Sequence, residues 1–289
     1  MPALVAQHSH QLSAADGTLL FVADYLLPAA EARGSILILH GLGEHSGRYR
    51  HLVRWFNDCG LSVRCYDHRG HGRSEGKRGD AHLGDPLLQD AGIVFDDFAA
   101  RVRTSRSTSP FLFGHSMGGL FAVRFALARS SPLRGLILSS PALAVHLGPV
   151  QRALLAVMER IAPRMGLPNG LPAQRLSHDP KVVAAYKSDP LVHGKISARL
   201  LRSMLSAMAY CQAHAGQLAV PALLLVAGDD HLVDAEGSRR FAAQLAPDSA
   251  QLIEYAGFYH EVFNELDGAL DAARPFEDLR AWLARQMES

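Results

Sequence analysis

Ser116 sits at the centre of Gly114-His115-Ser116-Met117-Gly118, a G-x-S-x-G pentapeptide. The apolar run Pro110-Phe111-Leu112-Phe113 precedes it, and the helix-like Gly119-Leu120-Phe121-Ala122-Val123-Arg124-Phe125-Ala126 follows. Strand, sharp turn and helix is the setting of a nucleophile elbow, which projects a serine hydroxyl beyond the end of a strand. The flanking glycines let the backbone turn where a Cβ would clash. A serine attacks only when a base removes its proton and an acid holds that base in one tautomer. After an elbow serine these partners come in the order acid, then histidine, from loops after later strands. Two loops fit that order. Gly228-Asp229-Asp230-His231-Leu232-Val233-Asp234 follows the strand-like Val220–Ala227, and Ala256-Gly257-Phe258-Tyr259-His260-Glu261 follows Ala250–Tyr255.

Among fifteen histidines, His260 is the candidate base, because it lies just past a predicted strand at the correct end. His115 is too close in sequence to Ser116 to turn back onto it, and His231 is given no catalytic role. The acid stays open among Asp229, Asp230 and Asp234. A position soon after the strand favours the first two, with Asp230 preferred; Asp234 precedes a helical stretch over 235–245 and suits a cap. Attack on a carbonyl makes an oxyanion, which needs two aimed donors. The Met117 N–H is one. The second is assigned to the Leu42 N–H in His40-Gly41-Leu42-Gly43, a glycine-rich loop after an earlier strand, with His40 expected to brace it.

The elements that must hold these groups alternate. A hairpin is expected around Ala15-Asp16-Gly17-Thr18. Gly34–Leu39, Leu61–Tyr66, Phe111–Phe113 and Leu133–Leu138 are short apolar runs suited to strands buried on both faces. Helical spacing separates them over 48–59, 86–104 and the stretch after Ser116. Such alternation predicts an α/β fold with a mostly parallel central sheet flanked by helices. The pattern breaks after Pro141. Residues 143–218 show no clear buried strand, but carry helical stretches at 149–162 and 196–209 and four of the seven methionines. They read as a helical insertion over the sheet's C-terminal edge. The core is then 1–142 plus 219–289, closed by a helix over 275–287.

Composition excludes several function classes. With 29 basic and 28 acidic residues and no basic run, nucleic-acid binding has no electrostatic support. The three cysteines, Cys59, Cys65 and Cys211, have no metal-ligand spacing and read as core residues of a reducing compartment. No stretch of about 18 apolar residues offers a membrane span, and residues 1–8 show no signal-peptide pattern. A cytoplasmic location is expected, with no metal and no cofactor. The oligomeric state is not legible.

The sequence resembles the monoacylglycerol lipase and lysophospholipase-like branch of the α/β-hydrolase superfamily over roughly residues 8–287. The resemblance is carried by His40-Gly41-Leu42-Gly43-Glu44-His45-Ser46-Gly47-Arg48-Tyr49, Asp67-His68-Arg69-Gly70-His71-Gly72-Arg73-Ser74-Glu75-Gly76 and the elbow. Ser188-Asp189-Pro190-Leu191, the Asp230 loop and Tyr255-Ala256-Gly257-Phe258-Tyr259-His260 add to it. It implies the α/β-hydrolase fold, the triad Ser116, Asp230 and His260, oxyanion donors at Leu42 and Met117, and a cap at 143–218. It also implies a lipid ester substrate, chiefly monoacylglycerol, with lysophospholipase, general carboxylesterase and aminopeptidase activities as alternatives. Glu44 and Arg48 match positions near the alcohol end of the substrate; a pair holding the loop in shape is the competing expectation. The sequence departs from the mammalian members at Phe263, where they carry a second histidine. Peripheral membrane contact through the cap is a further expectation.

Overall fold

The structure, a computed structural model, describes residues 8–81, 85–102, 109–128, 132–268 and 270–288. The absent signal pattern at 1–7 and the end of the helix expected over 86–104 lie outside the described residues.

The chain opens with β1 (His8–Ser13) and β2 (Leu19–Tyr25), paired antiparallel around Asp16-Gly17. Gly17 takes φ 83°, a conformation a glycine adopts without strain. Next come β3 (Gly34–Leu39), a 3-10 turn over Ser46–Tyr49, α1 (Arg50–Asp58), β4 (Leu61–Tyr66), α2 (Pro86–Arg101), β5 (Phe111–His115), α3 (Met117–Ala128) and β6 (Gly135–Ser139). The segment expected as an insertion holds α4 (Pro149–Ile161), β7 (Gly166–Pro168), α5 (Pro180–Ser188), β8 (Lys195–Ser197) and α6 (Ala198–His214). β9 (Ala222–Ala227), α7 (Ala235–Ala242), β10 (Ala250–Tyr255) and α8 (Arg274–Glu288) complete the chain.

Eight strands form one sheet in the order β1-β2-β4-β3-β5-β6-β9-β10. The β1–β2 and β2–β4 pairs are antiparallel, and every pair from β4 to β10 is parallel. Alternate side chains of each strand enter opposite cores. Leu37, Leu39, Leu112, Leu136, Leu138 and Leu224 pack beneath α2, α3 and α6. Ile36, Ile38, Phe113, Ile137, Leu223 and Leu225 pack against α1 and α8. Burial on both faces explains why the strands read as continuous apolar runs rather than alternating ones.

The parallel strands place the site. β3 and β5 are neighbours, so the loops after Leu39 and His115 emerge side by side. β9 and β10 end on the same edge and deliver the next two loops. Ligands of open α/β sheets bind at such carboxyl ends.

Two features depart from the sequence expectation. The segment 143–218 contains a small antiparallel pair, β7 with β8. Three residues of mixed exposure leave no periodicity to detect. α6 begins at Ala198, capped by the Ser197 hydroxyl, and runs to His214, a turn beyond the expected end. Its final turn buries Cys211 against α3, so this helix belongs as much to the main core as to the insertion. The methionines divide accordingly. Met204 and Met208 pack in the main core, and Met158 and Met204 reach the cavity described below.

Candidate active site

Ser116 follows β5 directly and has φ 54°, strained for a residue with a side chain. The glycines around it permit the turn. A Cβ on Gly114 would stand 2.5 Å from Gly118 O, and one on Gly118 would stand 2.3 Å from Leu39 O. The Ser116 N–H donates to Ser139 O at 3.0 Å, and its carbonyl accepts from the Leu120 and Ala142 N–H groups. The serine is therefore held by β6 and by the first turn of α3.

The loop after β3 approaches the elbow closely. A Cβ on Gly41 would lie 3.3 Å from Ser116 Cβ, which accounts for glycine there. His40 is buried, donates from Nδ1 to Gly41 O at 2.7 Å and accepts the His68 N–H on Nε2 at 2.9 Å. Burial, the largest influence, keeps its imidazole below its ordinary pKa and hence neutral. The Leu42 and Met117 N–H groups donate to no other group among the described residues. Two uncommitted N–H groups beside a strained serine can meet an oxyanion.

The loops after β9 and β10 meet at Asp230 and His260. Asp230 Oδ2 accepts from His260 Nδ1 at 2.7 Å, and Oδ1 accepts the Leu232 and Val233 N–H groups at 2.8 and 3.1 Å. Burial pushes the Asp230 carboxyl up, but the His260 charge and these hydrogen bonds outweigh it, leaving it below the ordinary range. For His260, burial pushes the pKa down; the Asp230 charge and hydrogen bond, aided by Glu261 and Glu44, raise it overall above its ordinary value. The hydrogen bond to Asp230 fixes the proton on Nδ1 and leaves Nε2 as the acceptor, the tautomer a general base requires. Asp229 is exposed and lies 3.2 Å from His231. Asp234 caps α7 through the Glu236 N–H. Of the three aspartates in the loop, only Asp230 contacts His260. Among the described residues no Ser116–His260 hydrogen bond forms; such bonds tighten when substrate binds.

Ser116 and Leu42 open into a cavity of about 340 Å³. Val145, Leu154, Leu155, Met158, Leu201 and Met204 form its apolar walls, and no carboxylate among the described residues lines it. A second space of about 20 Å³, enough for one water, lies on the other side of the elbow. Glu44, Arg48, His115, Glu261 and Phe263 line it. Phe263 packs on Phe113 and Phe276 with ring centroids 6.0 and 5.0 Å away. His115 bonds Ser139 Oγ through Nδ1 at 3.1 Å, and burial, then the neighbouring His260, brings its pKa down to about 4.

Glu44 and Arg48 face each other as an ion pair. Glu44 Oε1 accepts the Gly41 N–H at 2.7 Å and the Tyr49 hydroxyl at 2.5 Å. Burial pushes this carboxyl up, and Arg48 above all pulls it down, to about 2. Arg48 also forks onto Glu261, with Nη1 to Oε1 at 2.7 Å and Nη2 to Oε2 at 2.9 Å. Sequence reasoning passed over Glu261. Its signal was a charged residue directly after the candidate base and before two apolar positions. Its partner lies 213 residues away in sequence, beyond any local pattern.

The segment 143–218 is tied to the loop after β3 and to the loop after β10. The His193 N–H donates to Gly43 O at 2.8 Å, and His45 Nε2 donates to Asp189 Oδ2 at 3.0 Å. On the other side, Leu176 O accepts the Glu261 N–H at 2.8 Å and the Ser177 hydroxyl donates to Asn264 O at 2.6 Å.

The sheet order, the elbow and the acid–histidine pair define an α/β-hydrolase of the serine hydrolase type. The family described as "Serine aminopeptidase, S33" matches residues 30–267, and the chain belongs to it. The monoacylglycerol lipase of Mycolicibacterium smegmatis is 37% identical over 94% of this chain and 95% of its own length. The human monoglyceride lipase is 30% identical over 94% and 89%. Among solved structures, the monoacylglycerol lipase of Paleococcus ferrophilus superposes with a TM-score of 0.81 at 36% identity, covering 92% of this chain and 99% of its own. No helix among the described residues is long and apolar enough to cross a membrane.

Proposed function

We propose that the protein hydrolyses carboxylic esters of single-chain lipids, with monoacylglycerols as the chief substrate, through an acyl-serine intermediate. The observation that carries this reading is Ser116 opening into an apolar cavity of about 340 Å³. A cavity of that volume falls in the range of roughly 300–1,000 Å³ common to small-molecule sites. The acyl chain lies along Leu154, Leu155, Met158 and Leu201, where unbranched Met158 adapts to chain shape. Glu44 and Arg48, spent on each other and on Gly41, Tyr49 and Glu261, hold the loop that carries Leu42 in shape.

His260 Nε2 takes the Ser116 proton as Oγ attacks the ester carbonyl. The Leu42 and Met117 N–H groups hold the oxyanion. His260 then protonates the leaving alcohol. A water activated by the same nitrogen cleaves the acyl-serine, releasing the fatty acid and restoring Ser116. Asp230 keeps the ring oriented and stabilises its cation.

The family's description favours a peptidase, and the cavity separates the two readings. An aminopeptidase needs a negative group to hold the substrate's terminal ammonium, and this cavity presents none among the described residues. Residues 143–218 act as a cap. α4 turns Leu155 and Met158 inward and exposes Val150, Leu154, Val157 and Ile161 at i, i+4, i+7 and i+11. Arg152 and Arg160 are exposed on the same helix. An exposed apolar stripe with Arg160 near one edge suits a bilayer surface, from which the lipid is drawn.

The test is turnover of monoacylglycerols, lysophospholipids and short esters of graded chain length by wild type and Ser116→Ala. Long-chain monoacylglycerols are expected to be best, with no turnover by the variant. A short-chain optimum would replace the lipase reading with a small-molecule esterase; turnover by Ser116→Ala would remove the assigned nucleophile.

A further inference from the structure

We infer that Glu261 is a positioning residue that, through Arg48 and Glu44, holds the oxyanion loop in register with the catalytic histidine. The inference rests on the roles proposed above for Ser116, His260 and Leu42. Glu261 follows His260 directly, so a displacement of its side chain is felt at the base. Its carboxylate receives both ends of the Arg48 fork, at 2.7 and 2.9 Å, with both side chains largely buried. Asn264 Nδ2 donates to Oε2 at 2.8 Å, and the Glu261 N–H is bound by Leu176 O at 2.8 Å. Both the backbone and the head of this residue are therefore fixed.

Arg48 passes the constraint to Glu44, four residues before it. Glu44 passes it to the Gly41 N–H, the residue before the Leu42 donor. Tyr49 holds the second lone pair of the same oxygen, and the Tyr186 ring covers the guanidinium at 4.9 Å. The chain of contacts thus begins beside the proton acceptor and ends beside an oxyanion donor. No member of it touches the apolar cavity. A bidentate arginine–carboxylate pair fixes direction as well as distance, which a single hydrogen bond does not.

The two carboxylates and one guanidinium leave a net negative charge beside His260. The groups facing that imidazole are Asp230 from the β9 loop, Glu261 from its own loop, Glu44 with Arg48 from the β3 side, and the His115 ring at 4.7 Å from β5. Glu261 therefore acts on His260 by charge and on Leu42 by geometry.

The experiment is steady-state kinetics of Glu261→Gln on a chromogenic ester across pH, beside Glu261→Asp and Arg48→Met. Misplacing an oxyanion donor acts on the transition state and not on ground-state binding. For Glu261→Gln, kcat is expected to fall about 10- to 100-fold, as for displacements approaching an ångström. KM is expected to stay within about threefold. The acid limb of kcat/KM should move to lower pH, because one anion facing the imidazolium is lost. Glu261→Asp keeps the charge but shortens the reach, so kcat should fall with the acid limb unmoved; it also serves if the Gln variant does not fold. In an Arg48→Met background, Glu261→Gln should cost less than about twofold more, since the link is already cut. An unchanged kcat, or a KM effect alone, would overturn the inference. Fluorophosphonate labelling of wild-type Ser116 separates the layers. If wild type labels and the variants keep full kcat, only the positioning role falls; if wild type does not label, the catalytic reading falls and takes this role with it.

Discussion

His260 Nδ1 and Asp230 Oδ2 stand 2.7 Å apart, and both side chains are almost wholly withdrawn from solvent. The pair raises the histidine and lowers the aspartate, so each favours the charged form of the other. A general base must be neutral to act. The acid limb of wild-type kcat/KM is therefore expected above the ordinary histidine value of about 6.5.

Asp230→Asn removes the anion and offers the wrong tautomer partner. We expect kcat/KM to drop about 10⁴-fold, the order seen when a triad aspartate is neutralised. The residual activity should have its acid limb at lower pH, because burial then acts on His260 with its strongest opposing charge gone. A pH–rate profile measures both effects; an acid limb unchanged from wild type would contradict the electrostatic account.

The elbow stores backbone strain at Ser116, whose φ is 54°. Ser116→Gly and Ser116→Ala both remove the hydroxyl, but only glycine removes the Cβ. The glycine variant is expected to be more stable than the alanine variant by about 1 kcal/mol. Urea unfolding midpoints of the two variants give the comparison. Equal midpoints would mean that the turn is not strained.

Far from the site, Arg64 is buried between β4 and α2. It donates to both oxygens of buried Asp24, at 2.7 and 2.9 Å, and to Asp97 at 2.5 Å. Arg64→Met removes both short hydrogen bonds from buried Asp24 and leaves it only the 3.4 Å contact with Arg101, at an expected cost of about 3–5 kcal/mol. Arg64→Met/Asp24→Asn should recover part of that loss. A double variant less stable than Arg64→Met would show that the pair is not the source of the cost.

The apolar stripe of α4 makes a surface prediction. Val157→Glu/Ile161→Glu places anions on exposed positions and should weaken flotation with vesicles containing anionic lipid, while leaving hydrolysis of a soluble short-chain ester unchanged. Flotation equal to wild type, or no association by wild type, would remove the membrane role proposed for the cap.

Much of this architecture was legible in the sequence because buried parallel strands are short, apolar and bounded by turns. Gly34–Leu39 and Leu61–Tyr66 form strands over the residues expected. The elbow was legible for a local reason: Gly114 answers a contact made within four residues, at Gly118 O, and the pentapeptide sits between a strand and a helix. Spacing alone left the acid open among three aspartates, because the choice depends on where His260 arrives from the neighbouring strand. The β7–β8 pair, the last turn of α6 and the Glu261–Arg48 link were not legible. Each depends on packing between segments distant in sequence, and none leaves a periodic trace.

The two ties at Gly43 and Glu261 carry a consequence for modular redesign. A Cβ on Gly43 would stand 2.4 Å from His193 O, so the loop and the segment above it fit as one shaped joint. The joint continues to the other side, where Leu176 O holds the Glu261 N–H. Residues 143–218 are thus a keystone spanning two abutments, and not a detachable roof. A chimaera that imports this segment from a relative inherits a working centre only when the residues matching Gly43 and Glu261 travel with it.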